Sequence, residues 1–194
     1  MDNCIIVFAK APVPGNVKTR MIPAVGRGGA VKLQKNLTEK TMSVLKDFPV
    51  VIYSDREDLF ISRLAEKYGV EIRLQQGEDL GERMRNAIKA ELQNSKKVLL
   101  VGIDCPEHTR KDIEAAFERL DDHEAVFIPA VDGGYVLVGV KEDIPEIFSD
   151  ISWSTSVVME QTLQKIGQRK VFLLPPKHDI DNPDDLEFVP RRFY

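Results

Sequence analysis

The loop after the first apolar run concentrates positive charge in an otherwise acidic chain. The 194-residue protein has a formal net charge of −4, yet no acidic residue occurs between Asn3 and Thr38. That stretch carries six cations, which are Lys10, Lys18, Arg20, Arg27, Lys32 and Lys35. Charge concentrated this locally predicts one small anionic ligand, and a phosphate compound is the prime candidate.

The loop matches neither of the common glycine motifs for phosphate. A P-loop needs glycine before Lys18, where Val17 stands, and Gly26–Gly29 lacks the spacing of a dinucleotide fingerprint. What remains is a loop stiffened by two prolines, in which Gly15 permits close approach and Lys18 and Arg20 supply cations. The alternative interpretation is a surface loop whose charges are solvated.

One aspartate follows the most apolar strand predicted in the chain, Lys97–Gly102. Asp104 lies where α/β proteins place ligand-binding groups, beyond the carboxyl end of a buried strand. Mg²⁺ usually binds through one or two carboxylates together with substrate phosphates, so Asp104 opposite a phosphate loop predicts a metal ligand. Alternatively, Asp104 caps the turn before Pro106.

The acidic segment 179–187 has two parts. Asn182 and the three residues after it are typical of a capped helix start with acids in its first turn. Asp179 and Asp181 are not needed for that helix start, and their spacing places them on one face of an extended chain. This pair predicts a second metal ligand.

Apolar periodicity predicts an α/β protein. Strands are predicted at 4–9, 50–53, 71–74, 97–102, 125–130, 135–140 and 170–174, and helices at 28–46, 60–68, 80–92, from 109 onward, and at 156–166. Only Val131–Gly134 separates two of the later strands, which should therefore be antiparallel or diverge into a local insertion. We expect a Rossmann-like three-layer α/β/α sandwich with a mixed, mainly parallel sheet, forming one domain over residues 1–194.

Composition excludes several classes of function. An acidic chain lacks the broad basic face that nucleic-acid binding needs. Cys4 and Cys105 form neither a disulfide framework nor a zinc motif. No secretion signal or membrane-spanning run is visible, so we expect a soluble cytoplasmic protein without a membrane or nucleic-acid partner.

Six motifs, in order along the chain, resemble one family. They are the segment 8–20, Gln76–Met84, Gly102–Pro106, Asp132–Tyr135, Trp153–Thr155 and Asp179–Leu186. The chain resembles the DUF2064 family of the nucleotide-diphospho-sugar transferase (glycosyltransferase A) superfamily. Relatives in that superfamily include 2-phospho-lactate guanylyltransferase and the molybdenum-cofactor and sugar-acid nucleotidyltransferases. The resemblance implies the nucleotide-diphospho-sugar transferase fold and a nucleotide substrate.

The resemblance also implies roles for single residues. It implies catalysis by Lys18, Arg20 and Asp104, and binding of the nucleotide phosphates by Lys10, Pro14, Gly15, Lys18, Thr19, Arg20 and Arg83. Mg²⁺ or Mn²⁺ would be held by Asp104 and Asp181, with Asp179 as the second choice. Phe-Ala-Lys-Ala-Pro stands where Leu-Ala-Ala-Gly is common in nucleotidyltransferases, which leaves the base and its contacts open.

Three of these motifs have a structural alternative. Asp132, Gly133, Gly134, Tyr135 and Trp153 form the expected acceptor side. The two glycines either let an acceptor lie against the backbone or form a tight hairpin turn. Trp153 either stacks on a ligand or packs internally. Arg83 either reaches a phosphate or belongs to a salt-bridged surface helix.

The expected reaction moves a nucleoside monophosphate from a nucleoside triphosphate to a small phosphorylated or hydroxyl acceptor, releasing pyrophosphate. Lys18 and Arg20 would hold the pyrophosphate, while the metal on Asp104 and Asp181 would bridge α-phosphate and acceptor. One alternative is a glycosyltransferase with a nucleotide-sugar donor. The other is a nucleotide sensor without catalytic activity.

Overall fold

Strands and helices alternate along most of the chain. The computed structural model describes residues 2–194. Its strands are β1 (Asn3–Ala9), β2 (Val50–Ser54), β3 (Glu71–Leu74), β4 (Lys97–Gly102), β5 (Ala125–Pro129), β6 (Tyr135–Val140) and β7 (Val171–Leu173). Its α-helices are α1 (Ile22–Leu45), α2 (Leu59–Tyr68), α3 (Leu80–Glu91), α4 (Arg110–Asp122) and α5 (Val158–Ile166). No helix within residues 2–194 combines the length and apolarity needed to cross a lipid bilayer.

The strands form one seven-stranded sheet within the described chain, in the order β3-β2-β1-β4-β6-β5-β7. β1 to β4 pair in parallel, β6 is antiparallel to β4 and β5, and β7 is parallel to β5. The predicted α/β class with a mixed, mainly parallel sheet is confirmed. The strand order reverses between β1 and β4, and open α/β sheets bind ligands beyond the carboxyl ends of the strands at such a point.

Alternate residues of the central strands face two separate hydrophobic cores. In β1, Ile5 and Val7 pack in one core, while Cys4 and Ile6 pack in the other. Helices α2 and α4 and the end of α1 cover the first core, and α3 and α5 cover the second. Because both faces are covered, the central strands are continuous apolar runs, and this makes β4 easy to identify from sequence.

Helix α1 begins earlier than its apolar pattern predicts. The predicted start is residue 28, whereas the helix begins at Ile22 with Pro23 in its first turn. Gly26 interrupts it with φ 71° and ψ 170°. Glycine tolerates that conformation without the steric cost of a Cβ, so the helix divides there.

The C-terminal segment packs back onto α1. Asn182 caps a 3-10 helix, Pro183–Phe188, through a capping box with Asp185. The Asp185 carboxylate also accepts a hydrogen bond of 2.8 Å from the backbone N–H of Asp181. A small third core joins this segment to α1 and contains Met21, Leu33, Leu37, Ile180 and Val189. The late acidic motif is thereby held against the loop that follows β1.

Candidate active site

An open cleft of about 650 Å³ lies at the carboxyl ends of β1 and β4. Its lining includes residues of the loop after β1, Asp179 and Asp181, residues at the start of α3, and Trp153–Thr155. The predicted site residues that line it are Lys10, Lys18, Thr19, Arg20, Arg83, Asp104, Asp132, Gly134, Tyr135, Trp153, Asp179 and Asp181. Pro14, Gly15 and Gly133 lie outside this lining.

Pro14 and Gly15 shape the loop rather than contact the cleft. The backbone N–H of Asn16 donates to the carbonyl of Val13 at 3.0 Å, which closes a tight turn around them. Gly15 has φ 85°. Proline followed by glycine with positive φ is the pattern of a type II turn, and this turn reverses the chain ahead of Lys18.

Lys18 joins the loop after β1 to two distant parts of the chain. Its Nζ lies 2.7 Å from Asp104 Oδ1 and 3.1 Å from Asp181 Oδ1, and it donates to the carbonyl of Ile180. The contacts with Asp181 and Ile180 are hydrogen bonds, and the contact with Asp104 is an ion pair. The Lys18 backbone is left-handed, with φ 45° and ψ 44°. That conformation costs a non-glycine residue about 1–2 kcal/mol, which these contacts offset.

The two predicted phosphate cations differ in their surroundings. The Lys18 side chain is 4% exposed, whereas that of Arg20 is 58% exposed and lies 3.4 Å from Asp181 Oδ2. Burial alone lowers the pKa of Lys18, but attraction to Asp104 and Asp181 outweighs it and the net pKa is raised. Lys18 is therefore a charged group held between carboxylates, and Arg20 is the cation open to a phosphate.

Asp179 is the carboxylate with the least favourable surroundings in the cleft. Burial raises its pKa to about 6, and repulsion from Asp132, Asp181 and Asp104 adds to the increase. Asp104 and Asp181 pair with cations, but Asp179 has no ion-pair partner within residues 2–194. A divalent cation bound here would relieve that repulsion.

We predict that Asp179→Asn stabilises the metal-free protein at pH 7.5. The folded-state pKa of Asp179 is about 6, against an ordinary value of 3.8, so the ionised carboxylate destabilises the fold and stability falls as pH rises through this range. Allowing for solvent screening, the gain should be about 1 kcal/mol, or about 2–4 °C in Tm. Thermal unfolding in EDTA at pH 7.5 and pH 4 measures it. The Tm difference between variant and wild type should vanish at pH 4. An equal Tm difference at pH 7.5 and pH 4 would show that the Asp179 charge does not destabilise the fold.

The carboxylates fit a divalent cation that shares its coordination with substrate. No three His, Cys, Asp or Glu side chains within residues 2–194 converge into a complete metal site. Mg²⁺ commonly takes one or two carboxylates and completes its shell with water and phosphate oxygens. Asp104 together with Asp179 or Asp181 can supply that number, and the unpaired charge of Asp179 adds to the fit.

The two glycines in the turn between β5 and β6, Gly133 and Gly134, have different structural roles. Gly133 has φ 97°, and a Cβ there would lie 2.0 Å from the carbonyl oxygen of Ser156. The backbone N–H of Met159 donates to the Gly133 carbonyl at 2.8 Å. Gly133 thus allows the hairpin to pack against the start of α5, while Gly134 lines the cleft.

Gly133→Ala should therefore destabilise the protein by about 2 kcal/mol or more, because the added methyl displaces either the hairpin or the Ser156 backbone. Gly134→Ala is the matched control, since the nearest atom to its new Cβ is Asp132 Oδ1 at 3.3 Å. Urea unfolding of both variants measures the difference. Equal stability of the two variants would contradict the close approach at Gly133.

Trp153 both packs and lines the cleft. A Cβ on Gly81 would lie 2.7 Å from Trp153 Nε1. The absence of a side chain at Gly81 therefore allows the indole to pack against α3. The Trp153 ring also meets Tyr135 edge-on, with centroids 6.3 Å apart. The Tyr135 hydroxyl is buried and has no hydrogen-bond partner among residues 2–194.

Arg83 takes no part in a salt bridge of its helix, such as the one that joins Arg85 to Asp143. Its Nε donates to the carbonyl of Gly77 at 2.9 Å, and no carboxylate pairs with it in the described chain. Asp79 caps α3 by accepting from the backbone N–H of Glu82. The terminal guanidinium nitrogens of Arg83 are therefore available to an anionic ligand at the cleft.

Cys105, the neighbour of Asp104, is unsuited to act as a nucleophile. It is 1% exposed, and burial raises the pKa of its thiol to about 12. The nearby His108 is buried, and burial lowers its pKa to about 4. Neither residue is therefore suited to act as a nucleophile or as its activating base at neutral pH.

Asp55 and Gln75 line the cleft, although neither is among the residues predicted for the site. Asp55 directly follows β2 and Gln75 directly follows β3. The rule that places ligand-binding groups at the carboxyl ends of strands identifies Asp104, and it applies equally to these two residues.

Comparison with known proteins agrees with this architecture. The family model DUF2064, described as an uncharacterized protein conserved in bacteria, matches residues 38–155. No curated protein shows significant similarity to the sequence. The crystal structure of a proposed nucleotide-diphospho-sugar transferase from Desulfovibrio desulfuricans G20 is 30% identical, with a TM-score of 0.87, over 97% of this chain and 87% of that chain.

More distant structures share the fold. 4-diphosphocytidyl-2C-methyl-D-erythritol synthase from Anaerococcus prevotii DSM 20548 has a TM-score of 0.63 at 16% identity, over 96% of this chain and 95% of that chain. CMP:2-keto-3-deoxy-manno-octonic acid synthetase in complex with CTP has a TM-score of 0.56 at 10% identity, over 97% of this chain and 96% of that chain. Because the family model covers more than half of the sequence and the 30% identity extends along nearly all of it, this chain belongs to the DUF2064 family.

Proposed function

We propose that this protein is a nucleotide-utilising transferase, and specifically a metal-dependent nucleotidyltransferase. It would move a nucleoside monophosphate from a nucleoside triphosphate to a small phosphorylated or hydroxyl acceptor and release pyrophosphate. The observation that carries the proposal is one cleft in which a cationic loop faces a cluster of carboxylates, joined through Lys18. Phosphoryl-type transfer asks a protein mainly for such positioning and charge stabilisation.

The surroundings of each residue indicate its part in the reaction. Arg20 and Lys10 are exposed at the cleft and would bind the triphosphate, with Arg83 on α3 as a further anion-binding group. Lys18 would position Asp104 and Asp181, because its ammonium is committed to both carboxylates.

A bound Mg²⁺ would supply charge neutralisation at the reacting phosphate. Asp104, with Asp179 or Asp181, would hold that ion. The acceptor would lie on the side of Asp132, Gly134, Tyr135 and Trp153, and an ionised acceptor would need no general base.

Similar structures support a nucleotide substrate. The synthetase with 10% identity was crystallised with CTP, and the synthase from Anaerococcus prevotii is a diphosphocytidyl enzyme by name. The cleft volume of about 650 Å³ falls in the ordinary range of small-molecule sites.

The test is pyrophosphate release from each of the four nucleoside triphosphates with Mg²⁺ and pools of phosphorylated, carboxylated and hydroxylated small molecules. Acceptor-dependent pyrophosphate release by the wild type, absent in Asp104→Asn, is the expected result. Pyrophosphate release that the Asp104 variant retains in full would overturn the assignment of the site.

Glycosyl transfer is the second candidate, because the protein with 30% identity is a proposed nucleotide-diphospho-sugar transferase. The same phosphates and metal would be bound, but the product would be a nucleoside diphosphate released from a nucleotide sugar. Assaying nucleoside diphosphate beside pyrophosphate separates the two reactions. Nucleotide binding with neither product would indicate a sensor.

A further inference from the structure

The edge of the sheet at β3 is open. β3 pairs with β2 on one side, and no strand within residues 2–194 pairs with its other side. Two of its four residues, Ile72 and Leu74, are apolar and are 38% and 45% exposed. A strand edge of this kind presents unpaired N–H and C=O groups, which can bind another extended chain.

The two edges of the sheet differ in how they are protected. β7, at the opposite edge, is three residues long, and Pro175 and Pro176 follow it closely. Proline cannot donate to a strand ladder, so it prevents the addition of a further strand there. The segment 70–76, which contains β3, has neither proline nor lysine, the residues that usually protect an edge.

The ladder with β2 determines which backbone groups of β3 face outward. The N–H of Gln75 donates to the carbonyl of Ser54 at 2.9 Å, toward β2. Backbone groups of successive residues in a strand point to alternate sides, so those of Arg73 and Glu71 also face β2. The N–H and C=O groups of Ile72 and Leu74 therefore face the open edge.

The charged side chains of β3 lie on the face of the sheet that α3 covers. Arg73 pairs there with Glu91 of α3 at 2.6 Å and with Glu71 at 3.2 Å. The Glu71 side chain is 77% exposed, and a guanidinium has five N–H donors, so both groups can take a further partner. The open edge thus presents one anion and one cation, two residues apart.

We propose that β3 pairs antiparallel with β3 of a second copy of this chain, about a two-fold axis at Ile72. In this register Ile72 forms a hydrogen-bonded pair with Ile72 of the second copy. Glu71 then lies opposite Arg73 of the second copy, and the symmetry forms this pair twice. The two seven-stranded sheets become one continuous sheet.

Charge complementarity selects this register and this partner. A shift by one residue would set outward backbone groups against inward ones, so the ladder could not form. A shift that places Ile72 opposite Leu74 of the second copy would bring two Arg73 side chains together, and like charges opposite each other are destabilising. Because the two strands run in opposite directions, the two clefts open at opposite sides of the joined sheet and both stay accessible.

The first experiment measures sedimentation velocity of the full-length protein over rising concentration, up to about 500 µM because small interfaces are weak. The wild type should form a dimer. Glu71→Arg should weaken dimerisation at least about tenfold, since both attractive pairs become repulsive. Glu118→Arg, the same charge change at an exposed position on α4, is the matched control and should dimerise as the wild type does.

Two results of this experiment would overturn the proposal. One is equal dimerisation of all three proteins. The other is a wild type that stays monomeric at every concentration, which would leave the edge to an extended segment of a different protein.

The second experiment tests the register by mild oxidation of single-cysteine substitutions. In the proposed pair the two Ile72 Cα atoms lie about 5.5 Å apart, within the range of a disulfide. Ile72→Cys should therefore give a disulfide-linked dimer on a non-reducing gel. Leu74→Cys, which faces residue 70 of the second copy, is the matched control and should give little. The native Cys4 and Cys105 are 3% and 1% exposed and should not contribute.

The cross-linking yields decide the register. Equal yields from the two variants, or no cross-link in a folded Ile72→Cys protein, would overturn the pairing at Ile72.

Discussion

Replacing Asp104 by asparagine should lower turnover about 100- to 1000-fold while the protein stays folded. Asp104 follows β4 at the point where the strand order reverses, and its carboxylate lies 2.7 Å from Lys18 Nζ with 42% of the side chain exposed. Asparagine keeps the shape and one acceptor oxygen but removes the charge that would bind Mg²⁺ next to the reacting phosphate. Steady-state rates over a Mg²⁺ titration measure the loss.

Asp47→Asn provides the control for this loss, since Asp47 is an exposed aspartate that pairs with Arg110 and does not line the cleft. Its turnover should match that of the wild type. Thermal unfolding of the Asp104 variant should show one cooperative transition. Wild-type turnover in a folded Asp104→Asn protein would show that Asp104 is not a metal ligand on which turnover depends.

Replacing Lys18 by methionine should abolish measurable turnover and also destabilise the protein. Methionine can fill the space of the buried stem, but Asp104 and Asp181 then face each other without their shared cation. Removing one partner of a fully buried pair costs about 3–5 kcal/mol. These two carboxylates are 42% and 39% exposed, so screening should reduce the loss to about 2 kcal/mol.

Added Mg²⁺ distinguishes this explanation from simple loss of packing. The ion should raise the Tm of Lys18→Met more than that of the wild type, because it replaces positive charge among the carboxylates. Lys111→Met, at an exposed position on α4, is the control and should respond as the wild type does. An equal Mg²⁺ response in all three proteins would show that Lys18 does not neutralise this cluster.

The sheet could be predicted because local sequence determines much of it. Both faces of β4 are covered, so its residues form an unbroken apolar run, and the capping box of Thr109 and Asp112 marks the start of α4. The same reasoning placed Asp104 at the edge of the sheet. The helical turn that precedes Gly26 was not predicted, because Pro23 and the glycines at 26, 28 and 29 are typical of a loop.

The site was harder to predict where its geometry depends on distant residues. A lysine in a basic loop indicates an exposed cation, and only the folded chain shows Lys18 enclosed by Asp104, Ile180 and Asp181. Asp55 and Gln75 were not predicted as site residues, because each is a single polar residue after a strand and neither belongs to a charge cluster or a motif. Both line the cleft because β2 and β3 end side by side in the sheet.

The contacts of Lys18 with the C-terminal segment also have a consequence for the order of folding. Its contacts with Ile180 and Asp181 span 162 and 163 residues of sequence. Contacts between such distant residues carry a large loop-closure entropy and depend on the parts between them being in place. We therefore expect the sheet to assemble first and the cleft around Lys18 to form afterwards. A nascent chain that still lacks residue 180 would have the loop after β1 and Asp104, but not Ile180 and Asp181, the other two partners of Lys18.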